Sequence, residues 1–432
     1  MTSDRRSILM IAYYFPPWGM GGVQRPLKLA KYLPEFGWDV TVIAPRPQAY
    51  YQSDATLLDE LPPSVHVERV SAFDPARWHA ARRNKSVNGN VSGPGPASLI
   101  RRAREWLRWP DDKILFSLNA ARCAQRLAKS RHFDVVWTTS PPPSIHLAGL
   151  RLHRQMSWIA DFRDPWLVFD NDWGPTPLHA QYARRLRRRI VTNADRVIAT
   201  SAPMAELLQA DGAPRPVVVM PNGYDEADFA RGSDPAEPDA PFTILCPGTF
   251  SQFADPRPIL ALARNWKRAH PNVPIRVVHV GLSLGLDLAR LAREYGLTDD
   301  LDLRGYLDHA AAVRALGLAD LIAISVSDLP GLSSSIPGRL FEALRSLRPL
   351  LLLAAANTAA AQLARTIPGC WVVDPHDERA ALASLAAIRG QPRDVNARGV
   401  DSIRQYDRRE QARALAALCQ DVLAERQRGA DR

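Results

Sequence analysis

A chain of 432 residues is too long for one ordinary hydrophobic core, so its length predicts two domains of about 200 residues each. Hydrophobic residues make up 46% of the chain and charged residues 23%, which is typical of a globular protein and excludes a disordered one. The apolar run near the N-terminus is too short for a signal peptide, and no run approaches the roughly 18 apolar residues of a membrane span. We therefore expect a cytoplasmic protein, either free or bound to the inner face of the cytoplasmic membrane.

The formal net charge of +10 comes almost wholly from arginine. The planar guanidinium fork of arginine suits phosphate groups and anionic membrane surfaces, although a basic composition without a specific partner fits the same charge. The four cysteines are isolated, without a Cys-x-x-Cys pair or a histidine at ligand spacing: Cys123, Cys246, Cys370 and Cys419. This pattern argues against a disulfide framework or a zinc site and favours a reducing compartment.

Apolar runs typical of strands alternate with helical patterns along the first half of the chain. The strand candidates in chain order are SILMIAYYF, DVTVIAP, VHVERV, FDVVWTTS, SWIADFRD, ADRVIATS and PVVVMPNG. Leu27, Ala30 and Leu33 give the helix after the first strand an apolar face, and another helix is predicted through IHLAGLRLHRQ. This alternation predicts parallel sheets covered by helices on both faces. Residues 84–98, with many glycines and no periodicity, are predicted to form a mobile insertion.

The same alternation restarts after a polar, proline-rich stretch, RGSDPAEPDAP, which is predicted to be an interdomain linker. The second series of strand candidates is FTILCPGTF, IRVVHVG, LDLRGYL, ADLIAISV and RPLLLLAA. The sequence therefore predicts two doubly wound, Rossmann-like α/β domains. Their predicted bounds are 1–205 for the N-terminal domain, 206–241 for its last strand and the linker, 242–400 for the C-terminal domain, and 401–432 for a helix that packs back on the first domain.

Three glycines, Gly19, Gly21 and Gly22, lie between the first strand and the first helix. Glycines at this turn let the backbone approach a ligand, and a helix N-terminus favours negative charge, so the turn predicts a phosphate or sugar site. The dinucleotide fingerprint would need a third glycine at Gln24 and an acidic residue about 20 positions further on, and neither is present. The pattern disfavours a dehydrogenase, and a tight turn that only packs helix on strand is the remaining alternative.

The segment SSSIPGRLFEALRSLRPLLLLAA (residues 333–355) predicts a loop, a helix and a strand. Pro337 and Gly338 open this helix, and Glu342 lies about one turn into it, near the carboxyl ends of the strands. Open α/β sheets bind ligands at that edge, and a carboxylate there can accept hydrogen bonds from both hydroxyls of a ribose. A carboxylate that is merely solvated on a helix surface is the plain alternative.

Together with AYYFPPWGMGGVQR, DFRDPW, PNGYD and PGTF, this segment resembles family 4 of the retaining glycosyltransferases. Each motif is weak alone, but they occur in the family's order between Ile8 and Ala355. The segments SPPPSIHLAGL and IADFRDPW are similar to the branch that makes bacterial surface polysaccharides. The resemblance implies the GT-B fold, in which two Rossmann-like domains face each other across a central cleft that binds a nucleotide sugar.

The resemblance also implies donor-binding residues: Gly21 and Gly22 from the first domain, and Gly248, Thr249, Arg257, Arg339, Glu342 and Ser334 from the second. Glu342 would bind the ribose, and Arg339, where the family usually has lysine, would lie near the phosphates. Cations and backbone amides at these places would stabilise the charge that develops on a departing nucleoside diphosphate. We expect a UDP-sugar or GDP-sugar as the donor substrate and neither a cofactor nor a metal ion.

Three positions depart from the family pattern. Ser334 stands where the family has the first of two paired glutamates, which normally contacts the donor sugar. Ala254 stands where the branch often has arginine, and Arg257, three residues further on, is a substitute. The histidine that many members have near the end of the fifth strand is missing, with Arg163 and Asp164 as its nearest equivalents. These departures leave the donor sugar open.

The predicted catalytic residues are Asp164, Arg163 and His146. Asp161, Arg163 and Asp164 place three charges within four residues at a strand end, which fits a cleft and fits a structural ion-pair corner equally well. His146, in the first turn of a helix, could orient the reacting acceptor hydroxyl, and an ordinary surface histidine is equally compatible with its position.

Two arginine runs complete the sequence features. The run at residues 99–110, in which Trp106 and Trp109 alternate with arginines, could dock on anionic lipid headgroups. The run ARRLRRRI, residues 183–190, is interpreted as a solvated helix face. No motif supports nucleic-acid binding.

The predicted function is a retaining glycosyltransferase that moves a sugar from a nucleotide-sugar donor to a glycan or lipid-linked acceptor. The resemblance places it in the biosynthesis of exopolysaccharide, capsule or lipopolysaccharide. Its mechanism would be front-face substitution, in which the donor diphosphate assists departure and deprotonates the acceptor. The alternatives are a non-catalytic GT-B scaffold or regulatory partner and, less favoured, an NAD(P)-dependent oxidoreductase. A Gly22→Val substitution is predicted to abolish most transfer while leaving the fold intact.

Overall fold

The computed structural model describes residues 5–47, 52–72, 110–166, 176–230, 241–327, 329, 331–391 and 399–430. The chain forms two compact units, one of residues 1–220 with 411–432 and one of residues 221–410. The predicted insertion at residues 84–98, the first arginine run and nearly all of the predicted linker lie outside the described residues. Among the helices that the structure describes, none is both long and apolar enough to cross a membrane.

The first unit contains a seven-stranded sheet in the order β3-β2-β1-β4-β5-β6-β7, and every neighbouring pair is parallel. Its strands are β1 (Arg6–Ala12), β2 (Trp38–Pro45), β3 (His66–Val70), β4 (Val135–Ser140), β5 (Ser157–Phe162), β6 (Arg196–Ala199) and β7 (Val218–Val219). The described helices that accompany it are α1 (Gln24–Tyr32), α2 (Ile114–Leu127), α3 (His146–Leu152), α4 (Pro177–Asn193), α5 (Ala202–Ala210) and, at the C-terminus, α12 (Arg408–Ala430).

The central strands of this sheet are buried on both faces, which explains their continuous apolar runs. Every residue of β4 and β5 is buried. One hydrophobic cluster joins the sheet to helices α2 to α5. Another joins its opposite face to α1 and to the C-terminal helix through Leu415 and Cys419. The C-terminal helix is therefore part of the first unit's core.

The second unit contains a six-stranded parallel sheet in the order β10-β9-β8-β11-β12-β13. Its strands are β8 (Phe242–Pro247), β9 (Ile275–Val280), β10 (Leu301–Gly305), β11 (Leu321–Ser325), β12 (Leu350–Leu353) and β13 (Cys370–Val373). The described helices are α6 (Arg257–Ala269), α7 (Leu288–Tyr295), α8 (His309–Gly317), α9 (Gly338–Arg345), α10 (Ala359–Arg365) and α11 (Glu378–Arg389). The predicted architecture of two parallel, Rossmann-like sheets is confirmed.

In each sheet the strand order reverses once, between β1 and β4 in the first unit and between β8 and β11 in the second. Loops diverge at such a switch point and leave a crevice at the carboxyl ends of the strands, where open α/β sheets bind their ligands. The two reversals therefore locate the places where functional side chains are expected.

The boundary between the units, after Met220, lies ahead of the linker that the composition predicts. Residues just after the boundary are held by a distant part of the chain: the Tyr224 amide donates to the Tyr406 carbonyl, 3.1 Å away, and the Arg408 amide donates to the Tyr224 carbonyl at 2.8 Å. The Arg345 guanidinium also pairs with Glu226. Sequence patterns give no sign of such long-range contacts, so the boundary could not be read from composition.

Candidate functional site

The glycine-rich turn of the first unit lies at its switch point, directly after β1. A short 3-10 turn at Gly21–Val23 leads into α1. A Cβ atom added at Gly21 would meet no atom within 4 Å, and one added at Gly22 would lie 3.4 Å from the Tyr14 ring. Both glycines therefore have open space or an ordinary contact where a side chain would be, and a ligand can come close to this backbone.

Arg163 crosses the switch point of the first unit. Its Nε donates to the Ser140 carbonyl at 2.6 Å, and its Nη1 donates to the Gly22 carbonyl. The side chain is buried, and its Nη2 has no hydrogen-bond partner. Arg163 therefore ties the glycine turn to the end of β4 and retains one buried donor that is unsatisfied.

Asp161 forms the structural ion-pair corner that the sequence offered as one alternative. Its carboxylate accepts from Arg25 Nε at 2.9 Å and Arg25 Nη2 at 2.8 Å, and from the Thr139 hydroxyl at 2.7 Å. Arg25 also donates to the Met220 carbonyl at 3.0 Å. Both partners are fully buried, and the bidentate geometry satisfies the charges that burial would otherwise penalise. Asp164, in contrast, is an exposed residue at the same strand end, and desolvation of its carboxyl raises its pKa.

His146 is fully buried at the start of α3, so the alternative of a surface histidine is wrong. Its Nδ1 lies 2.8 Å from the Thr138 hydroxyl, and its Nε2 has no partner. Burial lowers the pKa of His146 to about 3, so the ring is neutral near pH 7. Its ring packs on Phe162, with the centroids 4.4 Å apart. A substrate cannot touch this side chain without a rearrangement of the surrounding loops.

Arg339 crosses the switch point of the second unit. Its Nη1 donates to the Thr249 carbonyl and its Nη2 to the Ser325 carbonyl, each at 3.2 Å. Gly248 makes room for it, because a Cβ atom there would lie 2.7 Å from Arg339 Cδ, and its φ of +91° favours glycine. Burial lowers the pKa of Arg339 to about 10, so the guanidinium stays charged at pH 7. No carboxylate of the described residues pairs with it.

The turn after β8 is fixed further by His279 and Gly281. His279 Nε2 lies 2.9 Å from the Gly248 carbonyl and must carry the proton, since a carbonyl oxygen only accepts. The imidazole stacks on Phe250 with ring centroids 4.3 Å apart, and burial lowers its pKa. A Cβ atom at Gly281 would lie 2.1 Å from the Gly248 carbonyl oxygen. These contacts hold the Gly248–Thr249 backbone in one conformation.

The remaining predicted donor-binding residues surround this turn at different depths. Glu342 lies three residues after Arg339 in α9, a spacing that puts both on one helix face, and it is half-buried. Ser334 is half-buried in the loop before that helix. Arg257 is largely exposed and pairs with Asp255 at 2.7 Å. The predicted residues of the second unit thus lie at three depths. Arg339 contacts Gly248 inside the turn, Glu342 and Ser334 are half-buried, and Arg257 is exposed and paired with a neighbouring carboxylate.

Four residues that complete these two clusters were not predicted from the sequence: Arg25, Thr139, His279 and Gly281. Arg25 and Thr139 look like ordinary helix and strand residues, and only the paired strands bring them to Asp161. Gly281 could have been noticed, because a glycine directly after a buried strand is a frequent sign of a close backbone approach. His279, which lies inside β9, carries no such sign.

Comparisons with known proteins give a family match for part of the chain and a likeness of fold for nearly all of it. Residues 20–228 match the model of Glycosyltransferase Family 4. A search of curated proteins finds no significant match. Among solved structures, a sucrose-phosphate synthase from Thermosynechococcus elongatus is similar with a TM-score of 0.67 and 15% identity, over 98% of this chain and 100% of that one. A glycosyltransferase from Rickettsia africae is similar with a TM-score of 0.63 and 14% identity, over 97% and 99% of the two chains.

A third similar structure is TarM from S. aureus in complex with Fondaparinux, alpha-GlcNAc-glycerol and UDP. It has a TM-score of 0.62 and 8% identity, over 96% of this chain and 99% of that one. Likeness at these identities establishes the fold, and the predicted GT-B fold with two Rossmann-like domains is confirmed. The family resemblance is supported over residues 20–228, while the surface-polysaccharide branch stays a prediction.

Proposed function

We propose that the chain is a glycosyltransferase that transfers a sugar from a UDP-linked or GDP-linked donor to a glycan or lipid-linked acceptor. The family match over residues 20–228 and the GT-B fold support sugar transfer as the general activity. The observation that carries the proposal is Arg339, a guanidinium without a carboxylate partner among the described residues, at the switch point of the second unit.

Arg339 and its surroundings fit a nucleoside diphosphate. The side chain stays charged in a partly desolvated position, where an anion gains more from a cation than it would in water. The first amides of α9 lie at the same edge of the sheet, and the N-terminus of a helix favours negative charge. Glu342, on the same helix face, would accept hydrogen bonds from the ribose hydroxyls. The phosphates and the ribose would thereby be bound by residues of one helix.

The first unit would bind the acceptor and approach the donor diphosphate through Gly21 and Gly22. In the proposed retaining reaction the bond between the anomeric carbon and the phosphate oxygen breaks. The bond to the acceptor oxygen forms on the same face of the sugar, and the acceptor proton passes to the departing phosphate. Arg339 and backbone amides would stabilise the charge on that phosphate without a metal ion. Asp164, with its exposed carboxylate, would position the acceptor hydroxyl.

The proposed role in the cell is the biosynthesis of a bacterial surface polysaccharide at the cytoplasmic face of the membrane. It is supported by the segments SPPPSIHLAGL and IADFRDPW. They contain Ser140 and Asp161, which lie at the switch point of the first unit. The alternative of a non-catalytic GT-B scaffold or regulatory partner is favoured by two departures from the family pattern: Ser334 stands where a donor-binding glutamate would be expected, and Ala254 where the branch often has arginine. An NAD(P)-dependent oxidoreductase is the weaker alternative.

The test is a turnover assay of the purified chain with a panel of UDP-sugars and GDP-sugars, in which released nucleoside diphosphate is measured with and without a chelator. We expect release with at least one donor, unchanged by the chelator, and binding of the corresponding nucleoside diphosphate. Glu342→Gln should weaken that binding about tenfold through the ribose contact, whereas Glu294→Gln, an exposed helix carboxylate of the same unit, should not. Binding without turnover would favour the scaffold, and binding of NAD(P) alone would favour the oxidoreductase.

A further inference from the structure

Helix α4, which carries the second arginine run, is anchored to the first unit by its inner face. Ala183, Leu186, Ile190 and Val191 belong to the hydrophobic cluster under the sheet. Arg187 points to the same side, where it pairs with Asp211 and donates to the Trp166 carbonyl at 2.7 Å. One arginine of the helix is thus directed inward, and residues outside the helix provide it with a counter-charge and a carbonyl.

The outer face of α4 combines arginines with apolar side chains. Leu178 is 69% exposed and Tyr182 is 40% exposed. They lie in one stripe with Arg185 and Arg189, because residues three or four positions apart share a helix face. Arg184 and Arg188 flank this stripe and are exposed as well. Leu178 is the most exposed of the large hydrophobic side chains that the structure describes, and Tyr182 lies beside it on the same face.

The charge of this face is of one sign only. The sequence of α4 contains no aspartate or glutamate, and Arg184–Arg188 and Arg185–Arg189 are like-charged pairs at four-residue spacing, which destabilise a helix slightly. Helix α7 of the second unit shows the usual arrangement, in which exposed Arg290 pairs with Glu294 at 2.7 Å. Arg185, Arg188 and Arg189 are exposed and have no carboxylate partner among the described residues, so they do not serve helix stability and suit an external anionic surface.

The apolar end of this face lies at the functional edge of the sheet. Helix α4 follows β5 and precedes β6, two parallel neighbours, so it runs from the carboxyl ends of the strands back to their amino ends. Leu178 and Tyr182, in its first turns, are consequently at the edge that carries the glycine turn and Asp164. The arginines continue away from that edge.

We propose that the outer face of α4 docks on an anionic membrane surface, with Leu178 and Tyr182 entering the headgroup region and the arginines contacting lipid phosphates. Basic residues on one helix face with an aromatic and a leucine beside them are the composition of an interfacial helix, and arginine donates bidentate hydrogen bonds to phosphate. Docking through this face would bring the glycine turn close to acceptors that are anchored in lipid. That consequence rests on the proposed sugar transfer, whereas the docking proposal does not depend on it.

The test is sedimentation of the full chain with vesicles of phosphatidylcholine that contain 30% phosphatidylglycerol, compared with vesicles of phosphatidylcholine alone. We expect binding to the anionic vesicles only, reversed by high salt. Arg185→Gln with Arg189→Gln should lower the partition coefficient about 25-fold, since each arginine near an anionic surface contributes about fivefold. Leu178→Ser should lower it about tenfold.

The matched control is Arg290→Gln with Arg293→Gln, which removes two exposed arginines from a helix of the second unit and should change binding less than twofold. Absence of wild-type binding, equal binding to neutral vesicles, or equal losses in the control variant would each overturn the proposal. An RNA-binding assay of the same variants covers another anionic partner. If the α4 variants lost RNA binding and kept vesicle binding, the face would belong to that partner and the proposal would be overturned. Sedimentation does not require turnover, so the two proposals can fail separately. Absence of vesicle binding would not contradict the proposed transfer reaction, and absence of turnover would not contradict the proposed docking.

Discussion

Both Rossmann-like domains place an arginine across the point where their strand order reverses, but the two arginines differ in their electrostatic surroundings. Burial lowers the pKa of both. For Arg163 the nearby carboxylates Asp164 and Asp161 oppose that effect, whereas for Arg339 only the thiol of Cys246 does. Carboxylates of the protein therefore lie near Arg163, whereas the charge of Arg339 is available to a bound anion.

The glycines near these two arginines also differ between the domains, in the space that is open beside their Cα atoms. In the second domain the space next to Gly248 is filled by Arg339, and the space next to Gly281 by the Gly248 carbonyl. In the first domain a Cβ atom at Gly21 would meet nothing within 4 Å. The second domain thus uses its glycines to hold its own arginine in place, and the first leaves its glycines open to a ligand. A rigid cation suits the binding of an anion, and an open turn lets a ligand approach the backbone.

The largest effect expected from this difference is on the stability of the second domain. Gly281→Ala would place Cβ 2.1 Å from the Gly248 carbonyl oxygen at a φ of +150°, which should cost on the order of 3 kcal/mol in free energy of unfolding. The matched variant Gly21→Ala should cost less than about 0.5 kcal/mol. Urea titration of both variants measures the contrast, and equal costs would show that the two turns do not differ.

Arg339→Met is expected to weaken binding of the nucleoside diphosphate about 30-fold to 100-fold. The lost charge-assisted hydrogen bonds to phosphate contribute roughly 2 to 3 kcal/mol. Arg163→Met should change the same affinity less than about threefold, because the two carboxylates near that guanidinium, Asp164 and Asp161, repel a diphosphate. Isothermal titration with UDP and with GDP measures both. If Arg163→Met and Arg339→Met lowered the affinity equally, the carboxylates near Arg163 would not distinguish it from Arg339 as an anion site.

The pH dependence of stability should separate the domains through their buried histidines. The folded-state pKa of His146 is about 3, below the roughly 6.5 of an unfolded histidine. Between these values the unfolded chain binds a proton that the folded chain does not, so the stabilising contribution is present above pH 6.5 and is lost as the pH falls. From pH 6.5 to pH 5 the loss should be about 2 kcal/mol.

Denaturant titrations of the wild type and of His146→Gln at several pH values test this dependence. The variant should show a slope that is smaller by about 1.4 kcal/mol per pH unit in this range. His279→Gln, which changes a buried histidine of the second domain, should reduce the pH dependence of that unit alone, since burial within that unit lowers the pKa of His279. An unchanged slope in His146→Gln would mean that the imidazole is protonated in the folded chain.

The sequence was sufficient for the architecture because the signals for it are local. Buried strands such as β4 and β5 contain short apolar runs, the helices between them follow a regular spacing, and the alternation of the two predicts a parallel sheet. The glycines and Arg339 could also be singled out as candidate site residues, because each belongs to a motif on one short segment of the sequence. The burial of His146 was not, because it depends on Thr138 and Phe162 from two neighbouring strands.

The ion pair of Arg25 with Asp161 shows why the first domain's site was predicted only in part. Three charges at one strand end are visible in the sequence, but which of them pairs inward depends on a helix residue that is 136 positions away. That pairing leaves Asp164 as the exposed carboxylate and Arg163 as the bridge to Gly22. Long-range partners of this kind decide which residue of a charged cluster can face a substrate.

The smallest effect is expected at Gly22, where stability and transfer should separate. A Cβ atom there would lie 3.4 Å from the Tyr14 ring, an ordinary contact, so Gly22→Ala should change the free energy of unfolding by less than about 0.5 kcal/mol. Turnover should nevertheless fall about tenfold, which corresponds to about 1.4 kcal/mol, because the methyl group stands where the backbone would approach the donor. Gly22→Val should remove most of the remaining activity, and its melting temperature, measured beside its turnover, distinguishes a blocked site from a disturbed fold. Full activity in the alanine variant would mean that the turn of the first domain only packs α1 on β1, and the contrast with the second domain would then rest on Arg339 alone.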